Sequence, residues 1–189
     1  MKHIIIIGKG FGCELAPPLS EGHEIWGINN VICWREVDLA FFMDRRDVCA
    51  AEDKPTATQE FDETMWTAAE RGTPVIVSDG PADDYGDAKI IRYPLREVLA
   101  DVGHPYINYS IDYMLAYAIH IKVDKIDTYG VNMQYSTSYR TQIPSSEYWI
   151  GFARGRGIEV NLNGPLVNIC PLPNKMYGYG RSLKEILGE

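Results

Sequence analysis

The sequence predicts an α/β fold in which one doubly wound, mostly parallel sheet carries helices on both faces, and residues 1–189 form a single domain. Short apolar runs alternate with segments of helical spacing along the chain. The first run, His3–Ile7, is continuously apolar after its histidine, which is typical of a strand buried on both faces of a parallel sheet. The strands also end in small or polar residues, as expected where ligands bind beyond the carboxyl ends of parallel strands.

Seven segments are predicted as strands from their length and apolar content: His3–Ile7, Glu24–Ile28, Asp38–Met43, Pro74–Val77, Lys89–Arg92, Lys125–Tyr129 and Ile158–Leu162. The helices between them are predicted from apolar spacing and capping residues: a short one through Leu15 and Leu19, then Thr58–Arg71, Leu95–Val102, Ser110 to about Lys122, Pro144 to Gly157, and Arg181–Leu187. Ser110 is the expected N-cap of its helix, and Pro144 is expected at a first helical position.

Composition and charge exclude several classes of protein. With 46% hydrophobic and 23% charged residues, the chain is typical of a soluble globular domain. No apolar run approaches the ~20 residues of a membrane span, and no signal-peptide pattern is present, so a cytoplasmic location is expected. The net charge of −8 makes nucleic acid an unlikely partner, because non-specific binding depends on neutralising phosphates.

The charge is distributed unevenly along the chain. Residues 131–189 contain six basic and four acidic side chains, a balance of +2, so residues 1–130 carry −10. An anionic small ligand would be favoured near the carboxyl-terminal part, with an ordinary solvated surface as the alternative.

A glycine cluster directly follows the first strand and consists of Gly8, Lys9, Gly10, Phe11 and Gly12. Such a loop lets the backbone approach a phosphate or ribose and presents N–H groups at a helix start. It lacks the third glycine of the dinucleotide fingerprint at its proper offset. The cluster therefore predicts a site for a nucleotide other than NAD, with a tight turn as the alternative.

Polar residues follow the second and third strands as well. Asn29 and Asn30 stand where a nicotinamide enzyme has an acidic residue for the ribose, and they could bind a base or sugar or form a turn. Asp44 could act as a base, bind a metal or contact a ribose. Its alternative role is capping or an ion pair with Arg45 or Arg46.

The stretch after the sixth strand is rich in hydrogen-bonding side chains. It starts with Gly130, Asn132 and Met133 and continues to Gln142. The next helix carries Glu147 in its predicted first turn, where a carboxylate also suits the helix dipole. The start of another helix, at Tyr109 and Ser110, could attract a phosphate for the same electrostatic reason.

Histidine and metal chemistry have little support in the sequence. The four histidines, at positions 3, 23, 104 and 120, lie outside the polar stretch and the predicted strand ends, so a histidine-based triad is not expected. No Walker loop, H-E-x-x-H element or zinc spacing is present. The DDYGD segment at residues 83–87 is interpreted as a solvated acidic loop rather than a metal site, and no metal cofactor is expected.

The order of these motifs resembles a known group of proteins. The chain is similar to the small Rossmann-like group of bacterial single-domain sialyltransferases, flagellin-modifying motility accessory proteins and pterin pyrophosphokinase-like proteins. The similarity lies in the order of GKGFG after a strand, strands ending in INN and FMD, a helix from Tyr109, KIDTYGVNM and the SSEYW helix. Residues 129–160 look most like phage and prophage proteins of that type. The resemblance covers nearly the whole chain in order and is specific only at GKGFG, GVNM and SSEYW.

The resemblance implies a nucleotide-sugar lying across the strand ends. It implies nucleotide contacts from Gly8, Gly10, Asn29 or Asn30 and the Tyr109–Ser110 helix start. Tyr135 and Tyr139, with Arg140, would hold the departing phosphate without a metal. The sialyltransferases use a histidine base after this region, whereas this chain has none after position 120, so Asp44 or Glu147 would take that role or the chemistry would differ.

Three functions follow as hypotheses. The first is a nucleotide-sugar-dependent glycosyltransferase without a metal, with its acceptor unknown. The second is a protein, of phage origin, that binds a nucleotide or nucleotide-derived signal without turnover. The third is a Mg²⁺-dependent pyrophosphoryl transferase. Tyr177 and Tyr179 could pack on a partner subunit of a homo-oligomer or close over the ligand.

Overall fold

The computed structural model describes residues 1–51, 55–78, 85–133, 139–163, 175–178 and 180–188. For seven of these it describes the backbone alone: Val48, Cys49, Ala51, Tyr139, Arg140, Thr141 and Leu183. In the described part of the chain, no helix is long and apolar enough to cross a bilayer.

The predicted sheet is confirmed within the described residues. Its strands are β1 (His3–Ile7), β2 (Glu24–Ile28), β3 (Leu39–Phe42), β4 (Val75–Val77), β5 (Ile90–Arg92), β6 (Lys125–Tyr129) and β7 (Glu159–Asn163). All neighbouring pairs are parallel, in the order β5-β4-β3-β2-β1-β6-β7.

Helices alternate with these strands along the chain, and the last described helix follows β7. They are α1 (Val31–Trp34), α2 (Arg46–Ala51), α3 (Pro55–Arg71), α4 (Leu95–Val102), α5 (Ser110–His120), α6 (Tyr139–Gly155) and α7 (Leu183–Leu187), and a 3-10 turn lies at Cys13–Leu15. Helices α1 and α2 were not predicted, because four and six residues are too short to display helical periodicity.

Both faces of the central strands are covered, which explains the uninterrupted apolar run of β1. Ile4 and Ile6 pack in one core cluster with α5 and α6, whereas Ile5 and Ile7 pack in the other with α1 and α3. Successive side chains of a strand point to opposite faces, so a strand buried on both sides needs an apolar residue at every position. All four isoleucines are at most 1% exposed.

The strand order places a topological switch point between β1 and β6. From β1 the chain adds strands outward to β5, then returns through α4 and α5 and places β6 on the opposite side of β1. The connections on the two sides of this point diverge, which leaves a crevice beyond the carboxyl ends of β1 and β6.

Several details of the helices differ from the sequence prediction. The segment predicted as a short helix through Leu15 and Leu19 forms only the 3-10 turn at Cys13–Leu15, and α3 begins at Pro55 rather than at Thr58. Helix α6 begins at Tyr139, so Pro144 lies inside it rather than at its first position, and Glu147 lies in its third turn. The start was predicted too late because proline is favoured at a first helical position and usually breaks the interior of a helix. The N-cap of α5 is Tyr109, and Ser110 is its first helical residue.

Candidate functional site

A cavity of about 300 Å³ opens at the switch point, beyond the ends of β1, β2 and β6. Ten residues line it: Gly8, Lys9, Gly10, Ile28, Asn29, Tyr109, Gly130, Val131, Asn132 and Met133. Eight of these were predicted from the sequence as site residues, and the two that were missed, Ile28 and Val131, contribute apolar wall. The structure thus brings together candidates from four separate segments of the chain.

The floor of the cavity is a backbone crossing between the glycine loop and the end of β6. Gly8 donates its N–H to the carbonyl of Tyr129 and Gly10 donates to that of Gly130, each at 2.8 Å. A Cβ on Gly8 or Gly10 would meet the Gly130 oxygen at 2.5 or 2.6 Å. Gly130 itself has φ +65°, in the left-handed region that favours glycine.

This crossing corrects the role expected for the glycine loop. The N–H groups of Gly8 and Gly10 are bonded to β6, and that of Gly12 donates to the Glu14 carboxylate at 3.1 Å. These three amides are therefore engaged within the protein rather than presented to a phosphate. The glycines are needed because the two backbones approach too closely for side chains.

Two lining residues other than glycine adopt left-handed backbone conformations. Asn29 has φ 53° and Met133 has φ 43°. Asparagine tolerates this region better than most residues, whereas methionine at such an angle is strained. Such strain clusters at functional sites, where the surrounding structure holds the backbone in place.

Two residues that line the cavity carry buried amide oxygens without donors in the described part of the chain. The amide oxygens of Asn29 and Asn132 are buried and have no hydrogen-bond partner among the described residues, although the Asn132 side-chain nitrogen donates to the Phe11 carbonyl at 2.6 Å. The amide oxygen of Asn30, just outside the lining, is also unpaired. A buried acceptor left without a donor costs about 1–3 kcal/mol, so a ligand that donates to these oxygens would recover that energy.

Lys9 brings a positive charge to the rim of the cavity. Its ammonium lies 2.8 and 3.0 Å from the carboxylate oxygens of Glu60 on α3. Both side chains are partly exposed, so the pair contributes only about 0–1 kcal/mol and an anionic ligand could compete for the lysine.

The wall at Tyr109 is held by Asp112, a residue that the sequence analysis did not single out. One Asp112 oxygen accepts the backbone N–H groups of Asn108 and Tyr109 at 2.9 and 3.1 Å. Burial raises the pKa of Asp112 above its ordinary value, and hydrogen bonds from Ser145, Ser146 and the two amides oppose that rise. The sequence signal that could have identified Asp112 was an acidic residue three positions after a helix cap, which is the pattern of a capping box.

The other predicted site residues lie outside the cavity lining. Phe11 has an exposed side chain, Gly12 caps the 3-10 turn with φ 90°, and Ser110 is buried in the first turn of α5. Asp44 is exposed just after β3, and Glu147 is half-buried in α6. Tyr135 lies outside the described residues, as do the side chains of Tyr139 and Arg140, so their predicted contacts stay predictions.

All four histidines are described, and each lies outside the cavity lining. His3 Nε2 is 2.8 Å from Asp127, His23 contacts Ser20, His104 accepts the N–H of Tyr106, and His120 lies 3.4 Å from Asp101. Among the described residues there is no group of three or more histidine, cysteine or acidic side chains placed to hold a metal. Asp83 and Asp84 of the DDYGD segment lie outside the described residues.

A larger groove, of about 650 Å³, runs along α3 and is lined by α2 and α3 residues such as Gln59, Glu63 and Trp66. It contains none of the predicted site residues. The smaller cavity is the better candidate because it lies at the switch point and holds the unpaired amide oxygens.

Solved structures share this fold, although no protein-family model matches the chain and no curated protein matches it significantly in sequence. The Campylobacter jejuni sialyltransferase CstII with the substrate analogue CMP-3FNeuAc aligns at a TM-score of 0.52 and 13% identity, over 90% of this chain and 86% of that one. The complex of CST-II with a trisaccharide acceptor and CMP aligns at 0.51 and 13%, over 93% and 89%.

A Campylobacter jejuni alpha-2,3-sialyltransferase in apo form aligns at a TM-score of 0.51 and 18% identity, over 91% of this chain and 80% of that one. At such identities the likeness concerns the fold. The doubly wound sheet predicted from the sequence is therefore confirmed twice, by its own topology and by this similarity to the Campylobacter sialyltransferases.

Proposed function

We propose that this protein is a nucleotide-sugar-dependent glycosyltransferase that binds its donor in the cavity at the switch point. The observation that carries the proposal is the pair of buried, unpaired amide oxygens of Asn29 and Asn132 at the lining. A nucleoside offers N–H and O–H donors that would satisfy both oxygens, whereas the dianionic phosphate group of a phosphate ester offers none. Structural neighbours that bind CMP and CMP-3FNeuAc support the nucleotide class.

The charges around the cavity suit the rest of such a donor. Lys9 can exchange its exposed partner Glu60 for a ligand phosphate. We propose that Tyr135, Tyr139 and Arg140, which follow Met133 in the chain, stabilise the negative charge of the departing nucleotide without a metal.

Asp44 is our first candidate for the base that activates the acceptor. It lies two residues beyond the end of β3, at the same carboxyl edge of the sheet as the cavity, whereas Glu147 lies in the third turn of α6. Asp44→Asn should lower kcat by at least about 10²-fold with little effect on donor binding, because general-base catalysis contributes about 10²–10⁴-fold. Loss of kcat in Glu147→Gln instead would move the role to Glu147.

The test is a thermal-shift and mass-spectrometry screen against CMP, other nucleotides and a panel of nucleotide-sugars, with and without simple saccharide acceptors. A donor at 100 times its Kd should stabilise the fold by about 2.7 kcal/mol and should be recovered as free nucleotide. Full activity in a chelator would support the metal-independent form. No binding across the panel would refute the proposal.

A non-catalytic nucleotide-binding protein is the second candidate. The positions of the four histidines favour it, since each lies outside the cavity lining, contacts another residue and is therefore not placed to act as a catalytic base there. This candidate predicts the same stabilisation in the screen with the ligand recovered intact. A Mg²⁺-dependent pyrophosphoryl transferase would instead lose its activity in the chelator.

The wider resemblance to motility accessory, pterin pyrophosphokinase-like and phage proteins stays a prediction from the sequence, as do the cytoplasmic location and a homo-oligomer. Tyr177, one of the two tyrosines offered for subunit contact, is fully exposed, and Tyr179 lies outside the described residues.

A further inference from the structure

The side chain of Asp112 joins three segments of the chain in the protein interior. It is 0% exposed, as are Ser145 and Ser146 of α6. Its Oδ2 accepts the N–H groups of Asn108 and Tyr109 and the Ser145 hydroxyl at 2.6 Å, while its Oδ1 accepts the Ser146 hydroxyl at 2.6 Å. The carboxylate thus fastens the start of α5 to the second turn of α6.

A carboxylate is an expensive group to bury for packing alone. Taking it out of water is unfavourable unless hydrogen bonds compensate, and here four donors do so. Its bonds to Asn108 and Tyr109 are of the capping-box kind, in which the N3 side chain accepts the N–H of the N-cap residue. The additional effect of Asp112 is the connection to Ser145 and Ser146.

Both ends of this connection lead to the cavity. Tyr109, whose N–H donates to Asp112, lines one side of it, and Met133 lines it at the end of the segment that follows β6. Met133 also packs in the same core cluster as Trp149 and Ile150 of α6. A shift of α6 relative to α5 would therefore act on the cavity at both Tyr109 and Met133.

We propose that Asp112 is a positioning residue of the nucleotide site, which holds Tyr109 and α6 in the arrangement that accepts the ligand. This inference rests on the proposed function for the identity of the ligand. Asp112 does not line the cavity, so it acts through Tyr109 and through the two serines of α6.

The test compares Asp112→Asn, Asp112→Ala and the double variant Ser145→Ala/Ser146→Ala, with the exposed Ser20→Ala as the matched control. An asparagine can keep its oxygen on the two amides and Ser145 while its nitrogen donates to the Ser146 hydroxyl. Its affinity for CMP should therefore stay within about threefold of the wild type. The double serine variant should bind CMP roughly tenfold more weakly at a temperature where both proteins are fully folded.

Amide hydrogen exchange of the ligand-free proteins provides a second readout that needs no ligand. The double serine variant should exchange faster at Tyr109 and at residues 131–133, and Ser20→Ala should match the wild type there. Unchanged affinity and unchanged exchange at these amides, with only a lower Tm, would overturn the proposal and leave Asp112 a structural residue.

The two readouts separate this inference from the proposed function. If the wild type binds no nucleotide, the proposed function fails, and faster exchange at residues 131–133 still supports the mechanical link while unchanged exchange refutes it. If Asp112→Ala does not fold, the single variants Ser145→Ala and Ser146→Ala carry the same comparison, each with a smaller loss of CMP affinity expected.

Discussion

The backbone N–H of Gly10 donates to the carbonyl oxygen of Gly130 at 2.8 Å, which fastens the loop after β1 to the turn after β6. This contact crosses the topological switch point of the sheet, and the cavity lies over it. The same Gly130 oxygen would stand 2.6 Å from a Cβ on Gly10. The closeness of the two backbones therefore decides which residue is allowed at position 10.

Gly10→Ala should destabilise the protein by about 1–3 kcal/mol, the usual cost of inserting a methyl group into a fully packed site. The neighbour is backbone, which cannot rotate away as a side chain could. The free energy of unfolding from urea titration measures the effect. Gly151→Ala is the control, since nothing lies within 4 Å of its added Cβ on α6, and it should stabilise by up to about 1 kcal/mol. Equal changes in the free energy of unfolding of the two variants would contradict the close approach of the Gly10 and Gly130 backbones.

Asn29→Gly should weaken binding of CMP, or of the nucleotide identified by the screen, by about two- to twelvefold without destabilising the fold. Its φ of 53° suits glycine, so the backbone is preserved while the unpaired amide oxygen is removed from the cavity. The loss of one buried hydrogen bond to the ligand, worth about 0.5–1.5 kcal/mol, gives this magnitude. Isothermal titration calorimetry and urea unfolding measure the two effects separately.

Lys122→Gly is the matched control for that prediction. Lys122 also has a left-handed φ, 56°, but it is exposed and lies outside the cavity lining. We expect unchanged nucleotide affinity and unchanged or slightly higher stability. A similar loss of affinity in both variants would show that the Asn29 effect is not specific to its amide oxygen.

The sheet and much of the cavity could be predicted because local sequence determines them. Continuous apolar runs such as Ile4–Ile7 need burial on both faces, and parallel strands bring their carboxyl ends to one edge. Residues that immediately follow strands, such as Asn29 and Asn132, were therefore expected to converge, and the structure places both at one cavity.

The connection between Asp112 and the serines of α6 could not be predicted, because it joins residues 33 and 34 positions apart in the chain. A buried carboxylate looks the same in sequence as an exposed acid near a helix start. The beginning of α6 was missed for a different reason, since Pro144 lies inside this helix although proline is normally found at a first helical position.

Arg35→Lys should destabilise the protein by about 1–2 kcal/mol. The Arg35 guanidinium donates to the carbonyls of Cys13, Ala16 and Pro17 at 3.4, 2.7 and 2.6 Å, and so holds the chain that follows the glycine loop. A lysine ammonium cannot reproduce this fork of donors. Arg96→Lys, on the exposed surface of α4, should change the free energy of unfolding by less than about 0.5 kcal/mol in the same urea assay. If both variants changed the free energy of unfolding equally, Arg35 would not hold this segment.

The stability of the wild type relative to Asp112→Asn should fall as the pH rises from the ordinary aspartate pKa of 3.8 through the raised pKa of Asp112. Burial raises this pKa, so between the two values the folded protein binds the proton that the unfolded chain has released. The contribution of the protonated group is fully present below 3.8 and is lost as the pH passes the raised value.

Urea unfolding of both proteins at closely spaced pH values measures this difference. Other titrations, such as that of Asp62, whose pKa is lowered mainly by hydrogen bonds from Arg46, are common to the two proteins and cancel in the comparison. A difference that is independent of pH would mean that Asp112 titrates alike in the folded and unfolded chains. A difference that moves in favour of the wild type as the pH rises would mean that its four hydrogen bonds outweigh the cost of burying the charge.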